Sequence, residues 1–305
     1  MEGEPGVGEV DAAAHMKHWA SCVDDVLNRF IPDGGGEPTE IFRIMRYSLF
    51  AGGKRLRPVL CVAGCEAVGG DPEEVIPAAC ALECIHTYSL IHDDLPAMDD
   101  DDMRRGNPTS HKVFGEAAAI LGGDGLLTLA FELMANEEMV TAAGPDRVLA
   151  SSRLLAKAAG ASGMVGGQLL DVRAGEEPGG TTGLEEIHRR KTSAMIRASV
   201  MIGGLLGGGG SEQIACLSLY GFKAGLAFQI VDDILDVEGD TKLMGKSTGA
   251  DAILDKVTYP ALYGLDVSRK MARQAIDEAI GALSVFPGGA PALASLAQFI
   301  VLRRF

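Results

Sequence analysis

Two aspartate-rich segments lie far apart in this chain, and each follows an apolar stretch with helical spacing. The first is DDLPAMDDDD at residues 93–102, and the second is DDILD at residues 232–236. Carboxylates at the ends of buried helices are costly to desolvate unless cations neutralise them, and hard divalent cations prefer oxygen ligands. A single acidic run is more often a solvated loop, but two runs on apolar helices favour one metal site built from both segments.

The composition predicts an all-α protein. Apolar residues make up 47% of the 305 residues, aromatic residues only 5%, and the aliphatic residues recur at helical spacing. We expect a single domain over residues 1–305, with residues 1–12 as a disordered tail. The predicted helices cover roughly residues 10–31, 38–51, 56–69, 73–95, 113–138, 146–170, 184–208, 211–237, 251–264, 267–285 and 290–303.

Charge and the apolar runs limit the partners of this chain. The formal net charge of −15 argues against a nucleic-acid partner, because phosphate backbones bind surfaces rich in Lys and Arg. Charges such as Asp124 and Glu132 interrupt the apolar runs, so we expect no stable membrane insertion. The acidic N-terminus resembles neither a secretory signal nor a typical transit peptide. We therefore expect a cytoplasmic location, with a plastid location after transit-peptide removal as the alternative.

The six cysteines include two pairs with helical i, i+4 spacing, Cys61 with Cys65 and Cys80 with Cys84. Structural zinc usually recruits a second matched pair or histidines, whereas thiols on apolar helix faces pack as small hydrophobic groups. The spacing therefore favours buried free thiols in a reducing compartment. Zinc binding and contact with a partner are the alternatives.

Helical geometry places the carboxylates of the second segment. At about 100° per residue, Asp232 and Asp236 lie on one helix face, and Gln229 lies one turn before Asp233. This segment is thus predicted to present several oxygen ligands from a regular helix.

The first segment needs a break in its helix. Asp93 and Asp99 would point about 240° apart on an uninterrupted helix. Because Pro96 ends the helix near Leu95, the chain can fold back until Asp99 faces Asp93. We expect both carboxylates at the mouth of a cavity.

Cationic side chains alternate with the aspartates along the chain. Each one alone is more often a surface charge, but together they fit a site that holds metal-bound phosphate on one side and bare phosphate on the other. The cationic residues are Lys54, Arg55, Arg57, Arg104, Arg105, Lys191, Lys246 and Lys256.

The sequences of these motifs and their order along the chain resemble those of a known family. Between about residues 40 and 265 the chain contains GGKRLRP, HTYSLIHDDLPAMDDDDMRRGNPTSH, KTSAMI, GLAFQIVDDILD and GKSTGADAILDKVTYP. Together they are similar to the short-chain trans-isoprenyl diphosphate synthases, the family of farnesyl and geranylgeranyl diphosphate synthases. The resemblance implies a bundle of ten or more helices around a deep central cavity, and a homodimer. Residues 266–305 match only loosely.

The resemblance implies head-to-tail condensation of isopentenyl diphosphate with an allylic diphosphate. Three Mg²⁺ ions, held by Asp93, Asp99 and Asp232, would grip the allylic diphosphate and stabilise its departure as pyrophosphate. The remaining motif carboxylates would ligate through water: Asp94, Asp233 and Asp236.

The resemblance also implies the contacts of the two substrates. The leaving diphosphate would contact Lys191, Lys246 and Arg104, with Lys256 nearby. Isopentenyl diphosphate would occupy the metal-free side, on Lys54, Arg57, His86 and Arg105. The allylic cation would be shielded by the Lys191 carbonyl, the Thr192 hydroxyl and Gln229. The released pyrophosphate, rather than a protein base, would accept the proton.

In the family that these motifs resemble, the residues five and four positions before the first aspartate, here Tyr88 and Ser89, help set the depth of the cavity. The resemblance implies that bulky side chains at these positions stop the growing chain. Tyr88 beside Ser89, followed by the DDLPAMD form of the motif, resembles bacterial farnesyl synthases, whereas a smaller residue at position 88 is commoner in geranylgeranyl synthases. We therefore expect a fifteen-carbon product in preference to a twenty-carbon one.

Two other classes share part of this pattern. A class I terpene cyclase also ionises an allylic diphosphate with aspartate-bound Mg²⁺, but it needs no second diphosphate site such as GGKRLRP with Arg105. A non-catalytic partner subunit of a prenyl synthase commonly lacks aspartates in one or both motifs, and both motifs are intact here.

Overall fold

The computed structural model describes residues 10–33, 39–174, 181–238 and 258–302, and these are almost wholly helical. The all-α prediction is confirmed. The helices are α1 (Ala12–Phe30), α2 (Thr39–Leu49), α3 (Leu56–Ala67), α4 (Ile76–Asp93), α5 (Ser110–Phe114), α6 (Glu116–Met134), α7 (Glu137–Ala143), α8 (Pro145–Ala159), α9 (Met164–Ala174), α10 (Thr181–His188), α11 (Ala194–Leu206), α12 (Ser211–Glu238), α13 (Tyr259–Tyr263), α14 (Leu265–Gly281) and α15 (Pro291–Leu302).

Some of the predicted helices are divided in the structure, and two of them are interrupted by turns or caps. The predicted helix 113–138 becomes α5, α6 and α7, because Gly115 adopts a φ of 85° and Asn136 caps α7 by accepting from the Met139 N–H. The predicted helix 146–170 ends early, and a turn at 160–163 joins α8 to α9. A single glycine is tolerated inside many helices, so the sequence pattern alone does not reveal these breaks.

The central helices are buried on nearly every side. Helix α4 packs on α6 and α3, while α12 packs on α11 and α14. Helices α3 and α11 come very close, since a Cβ on Gly203 would lie 1.7 Å from the Cys61 carbonyl oxygen. An all-apolar helix surface is typical of a core position.

Two described helices, α6 and α12, are long and apolar enough to cross a membrane by length and composition alone. Charges such as Asp124 and Glu132 lie within α6, which is why its sequence does not predict a membrane span. Both helices pack inside the bundle, and core helices of soluble folds commonly have this composition.

The paired cysteines are free and buried, as predicted. Cys61, Cys65, Cys80 and Cys84 form no disulfide, and the Cys80 thiol points at the Val23 carbonyl oxygen 3.6 Å away. Burial raises the pKa of the Cys61 and Cys80 thiols well above the ordinary range, so they stay protonated.

Arg55 belongs to the core rather than to the cationic side of a substrate site. Its guanidinium contacts Glu83 and Asp24, each at 2.9 Å, and it donates to the Leu49 carbonyl oxygen at 2.7 Å. The Arg55 and Glu83 side chains are both only 2% exposed. This ion pair holds the start of α3 against α4 and α1.

We expect Glu83→Gln to lower the free energy of unfolding by about 3 kcal/mol, because it leaves a buried guanidinium without its buried counter-charge. Asp24→Asn removes the partly exposed partner of the same guanidinium and is expected to cost about 1 kcal/mol or less. Chemical denaturation of the two variants measures both values. Equal losses would contradict this account of the ion pair.

Candidate active site

A cavity of about 880 Å³ opens where α4 ends, between α9, α12 and the segment after α10. Most of the predicted site residues lie in its wall. The predicted residues that line it are Arg57, His86, Tyr88, Ser89, Asp93, Arg104, Arg105, Lys191, Thr192 and Asp232. The apolar part of the wall includes Ile120, Met164, Val165, Leu169, Val172 and Phe228.

The break in α4 has the predicted effect on the first aspartate segment. Helix α4 ends at Asp93, and the chain folds back so that the Asp99 N–H donates to the Asp93 carbonyl oxygen at 2.8 Å. Burial raises the pKa of Asp93 to about 6; Lys191 opposes this rise, and the neighbouring Asp99 carboxylate adds to it. Asp99 therefore lies beside Asp93, which lines the cavity, but Asp99 itself is not part of the described cavity wall.

Neighbouring aspartates in the two motifs have different surroundings. Asp232 lines the cavity, whereas buried Asp233 accepts from the Gln229 amide at 2.9 Å and from the Tyr259 N–H at 3.0 Å. Buried Asp94 accepts from Arg104 Nε at 2.6 Å. Asp94 and Asp233 therefore position helix ends and side chains of the site.

Asp236 is half-buried and is not part of the described cavity wall. The metal roles of Asp94, Asp233 and Asp236 stay predictions.

Lys191 lies in a short π-helix, Arg189–Ser193, between α10 and α11. Helix α9 approaches it closely, because a Cβ on Gly167 would lie 2.5 Å from the Lys191 backbone nitrogen. The Lys191 ammonium donates to the Asp171 carboxylate at 2.6 Å. Burial lowers the pKa of the Lys191 ammonium, but the carboxylates of Asp171 and then Asp93 raise it by more, so the pKa is raised overall. The ammonium is therefore charged and faces the first aspartate segment.

Thr192, the next residue of the π-helix, begins a chain of hydrogen bonds. Its hydroxyl donates to the Gln229 amide oxygen at 2.8 Å, and the Gln229 amide nitrogen donates to Asp233. Because the Thr192 proton is used in this way, the lone pairs of its oxygen are available to the cavity. Gln229 itself lies behind Thr192 in this arrangement.

Cationic residues gather on the opposite side of the cavity. Arg105 and Gly106 have φ values of 54° and 78° in the tight turn between the short strands Met103–Arg104 and Asn107–Pro108. This turn places the Arg105 guanidinium against the backbone of the first glycine motif, where it donates to the Gly52 carbonyl oxygen. Gly53 has a φ of 124°, which favours glycine, and a Cβ there would lie 2.5 Å from Arg105 Nη1.

Arg57 and His86 complete this cationic side. The Arg57 Nε is buried and has no hydrogen-bond partner in the described part of the chain. Burial, followed by the charges of Arg57 and Arg105, lowers the pKa of His86 well below its ordinary value of 6.5. A buried donor without a partner beside other cations fits an anionic ligand such as a diphosphate.

The remaining cationic predictions have mixed outcomes. Arg104 lines the cavity but is held by Asp94 and Asp101. Lys54 is exposed, with its Nζ 5.5 Å from the centre of the Phe299 ring, and does not line the described cavity. Lys246 and Lys256 lie outside the described residues.

The donor chemistry of the aspartates fits a divalent cation, because a cation would relieve the desolvation that raises the pKa of Asp93. Among the described residues, no three His, Cys, Asp or Glu side chains form a complete cage. Mg²⁺ is usually bound through one or two carboxylates together with water and substrate phosphates. Asp93 and Asp232, which both line the open cavity, suit that mode.

Sequence reasoning missed two residues of the site on α9. Asp171 holds Lys191, and Gln168 lines the cavity with its buried amide nitrogen and oxygen unpartnered in the described part of the chain. The i, i+3 spacing of these two polar residues places them on one face of α9. However, α9 also has exposed apolar residues, so its sequence pattern does not distinguish it from a surface helix.

Comparison with known proteins shows the family. The profile of the family described as Polyprenyl synthetase matches residues 38–285. The chain is 49% identical to the heterodimeric geranylgeranyl pyrophosphate synthase large subunit 1, chloroplastic, of Arabidopsis thaliana, over 93% of this chain and 77% of that protein.

Two solved structures share the fold along nearly their whole length. An FPP/GFPP synthase from Zymomonas mobilis matches with a TM-score of 0.84 and 37% identity, covering 95% of this chain and 98% of that one. A geranylgeranyl pyrophosphate synthetase from Pyrococcus horikoshii matches with a TM-score of 0.87 and 32% identity, covering 96% and 98%.

The fold and the site define a prenyltransferase with an all-α architecture. The chain belongs to the polyprenyl synthetase family, and its class is the short-chain prenyl diphosphate synthases, as its motifs predicted. Isopentenyl and allylic diphosphates are the substrates of this family. The expected cytoplasmic location and the preference for farnesyl diphosphate find no support among the plant relatives, whose names are chloroplastic geranylgeranyl or geranylfarnesyl synthases.

We expect Asp93→Asn to stabilise the metal-free protein near pH 7–8. Because the folded-state pKa of Asp93 is about 6, above the ordinary 3.8, its contribution to stability is complete below pH 3.8 and is lost as the pH rises through 6. Because one pH unit corresponds to about 1.4 kcal/mol, the free energy of unfolding falls by at most roughly 3 kcal/mol between these two pH values.

Thermal unfolding between pH 4 and pH 8 measures this effect. Added MgCl₂ is expected to stabilise the wild type more than Asp93→Asn, because only the wild type keeps the ionisable carboxylate. Identical pH profiles and identical responses to Mg²⁺ would show that Asp93 is neither desolvated nor a cation ligand.

Proposed function

We propose that this protein condenses isopentenyl diphosphate with allylic diphosphates and forms geranylgeranyl diphosphate as its main product. The observation that carries the proposal is one cavity lined both by the Asp93 and Asp232 carboxylates and by the Arg57 and Arg105 guanidinium groups, with the Arg57 Nε unpartnered among the described residues. Such a cavity suits two diphosphates at once, which a chain-elongating enzyme requires.

The allylic diphosphate binds on the aspartate side. Asp93, Asp99 and Asp232 are the residues that would hold Mg²⁺, with three ions as the expected number. When bound, Mg²⁺ supplies Lewis-acid stabilisation of the departing pyrophosphate. Lys191, fixed by Asp171, places its ammonium toward the same leaving group, and Arg104 lies on the adjacent wall.

Isopentenyl diphosphate binds on the cationic side, where Arg57, Arg105 and neutral His86 line the wall. Lys54 is exposed near this mouth and remains a proposed contact, and Lys246 and Lys256 remain proposed contacts of the leaving diphosphate. Guanidinium groups donate to phosphate oxygens in a fixed geometry, so they orient the substrate as well as bind it.

The developing allylic cation meets oxygen dipoles rather than a base. The Lys191 carbonyl and the Thr192 hydroxyl are the nearest proposed groups, and the Gln229 amide oxygen fixes the Thr192 rotamer by accepting a hydrogen bond from its hydroxyl. Dipoles that are already oriented in a dry cavity stabilise charge without reorganisation. The departing pyrophosphate is the proposed acceptor of the final proton.

Assembly and location belong to the same proposal. We propose a dimer, homomeric as in the family pattern, and a plastid location, which the names of the plant relatives suggest for those proteins. Size-exclusion chromatography with light scattering tests the first, and fluorescent fusion of the full gene product in plant cells tests the second.

Incubation of purified protein with Mg²⁺, isopentenyl diphosphate and dimethylallyl, geranyl or farnesyl diphosphate tests the reaction. We expect chain elongation with twenty-carbon product predominating in the mass spectrum. A terpene cyclase would release cyclic hydrocarbon from an allylic diphosphate alone, and a non-catalytic subunit would give no product with any primer.

We expect Arg57→Ala to raise the KM for isopentenyl diphosphate by about 10- to 100-fold, which corresponds to the loss of a charge-assisted hydrogen bond. The KM for the allylic diphosphate should change little. Lys191→Met is the matched variant on the opposite side of the cavity and should raise the KM for the allylic diphosphate instead. If Arg57→Ala raised both KM values equally, the two diphosphates would not occupy separate sides of the cavity.

Product length depends on how the cavity ends. Tyr88 is 7% exposed and lies with Ser89 in the cavity wall one to two turns before the aspartates. We expect Tyr88→Ala to lengthen the products of the wild type, with a twenty-five-carbon fraction that rises by about 3-fold or more, since the apolar wall is deepened by a ring. Product masses measure this change, and Ser89→Ala is the control for a small alteration at the same level. If Tyr88→Ala gave the same distribution of product lengths as the wild type, Tyr88 would not limit the growing chain.

A further inference from the structure

Two rings on α4 form one unit of the cavity wall. Tyr88 and His92 lie one helical turn apart, with ring centres 5.7 Å apart and planes at 77°. Both line the cavity. This edge-to-face arrangement is favourable beyond simple burial, so the position of one ring depends on the position of the other.

His92 is in turn fixed to α6. Its Nε2 lies 3.1 Å from the Ile120 carbonyl oxygen, so this nitrogen carries the proton and donates, and the Asp124 carboxylate lies 3.8 Å away. A Cβ on Gly123 would lie 2.3 Å from His92 Nε2 and 2.7 Å from its Cδ2. The imidazole therefore lies directly on the backbone of α6, in a space that only glycine leaves open.

We propose that His92 is a positioning residue for product length, and that Gly123 provides the seat that keeps its ring out of the cavity. This inference rests on the proposed function, in which Tyr88 limits the growing chain. His92 holds the Tyr88 ring against α6 and closes the wall beside it. The depth of the cavity is thus set by a contact between α4 and α6 as well as by the size of residue 88.

The geometry predicts opposite effects from two substitutions. Gly123→Ala inserts a methyl group where the imidazole lies, so His92 must move toward the cavity and products should shorten. His92→Ala removes the support of Tyr88 and opens the wall, so products should lengthen. We expect a change of about 3- to 10-fold in the ratio of longer to shorter products in each direction.

Gly125→Ala is the matched control on α6. A Cβ at this position would meet the flexible end of Met45, with Sδ at 3.0 Å, and it points away from His92. We expect its product distribution to equal that of the wild type. A purely structural role for His92 would lower the melting temperature without changing the product ratio, so melting curves are recorded for every variant.

The decisive experiment measures product masses for wild type, Tyr88→Ala, His92→Ala and the double variant with the natural primers. In the Tyr88→Ala background, His92→Ala should change the ratio of longer to shorter products by less than 2-fold, because the tyrosine ring that His92 supports is already absent. Independent, multiplicative effects in the double variant would overturn the proposal, even with both single variants active.

The outcomes separate this inference from the function on which it rests. If Tyr88→Ala lengthens the products and His92→Ala leaves them unchanged, the positioning role is wrong and the synthase function stands. If Tyr88→Ala also has no effect, the chain-length account fails with it. If the wild type elongates no primer, the proposed function itself fails. Should Gly123→Ala not fold, His92→Ala and the double variant still decide the question.

Discussion

Charged side chains of both signs are desolvated in the wall of one cavity, and the surrounding helices and ion pairs hold them there. Asp93 at the end of α4 is desolvated enough for its pKa to rise to about 6, and Arg57 has a buried donor without a partner in the described chain. Lys191 faces Asp93, whereas Arg57 lines the same cavity with Arg105 and His86. Desolvated charges of both signs are therefore concentrated in one cavity wall, as is common at functional sites.

Ion pairs fix several other cations near this cavity. Asp171 holds Lys191, Asp94 and Asp101 hold Arg104, and Glu83 holds Arg55 in the core. Arg57 differs, because its buried Nε has no hydrogen-bond partner among the described residues. We propose that this guanidinium, together with Arg105, binds the second diphosphate.

The sequence was informative where chemistry and helix geometry coincide. Pro96 predicted the break that brings Asp99 back to Asp93, and the i, i+4 spacing predicted the contact between Gln229 and Asp233. It was uninformative where the outcome depends on contacts distant along the chain. Arg55 looks like Arg57 in GGKRLRP, and only Glu83 and Asp24 reveal that its side chain points into the core. The roles of Asp171 and Gly123 likewise appear only once α9 and α6 are placed.

A crystal structure with Mn²⁺, a non-hydrolysable allylic thiodiphosphate and isopentenyl diphosphate would show where each diphosphate binds. Mn²⁺ provides an anomalous signal that locates each ion. We expect Mn²⁺ beside Asp93, Asp99 and Asp232, with the phosphates of isopentenyl diphosphate on Arg57 and Arg105 and no metal among them. If metal ions bridged isopentenyl diphosphate, or if both diphosphates lay beside the aspartates, the proposal of two different diphosphate sites would be wrong.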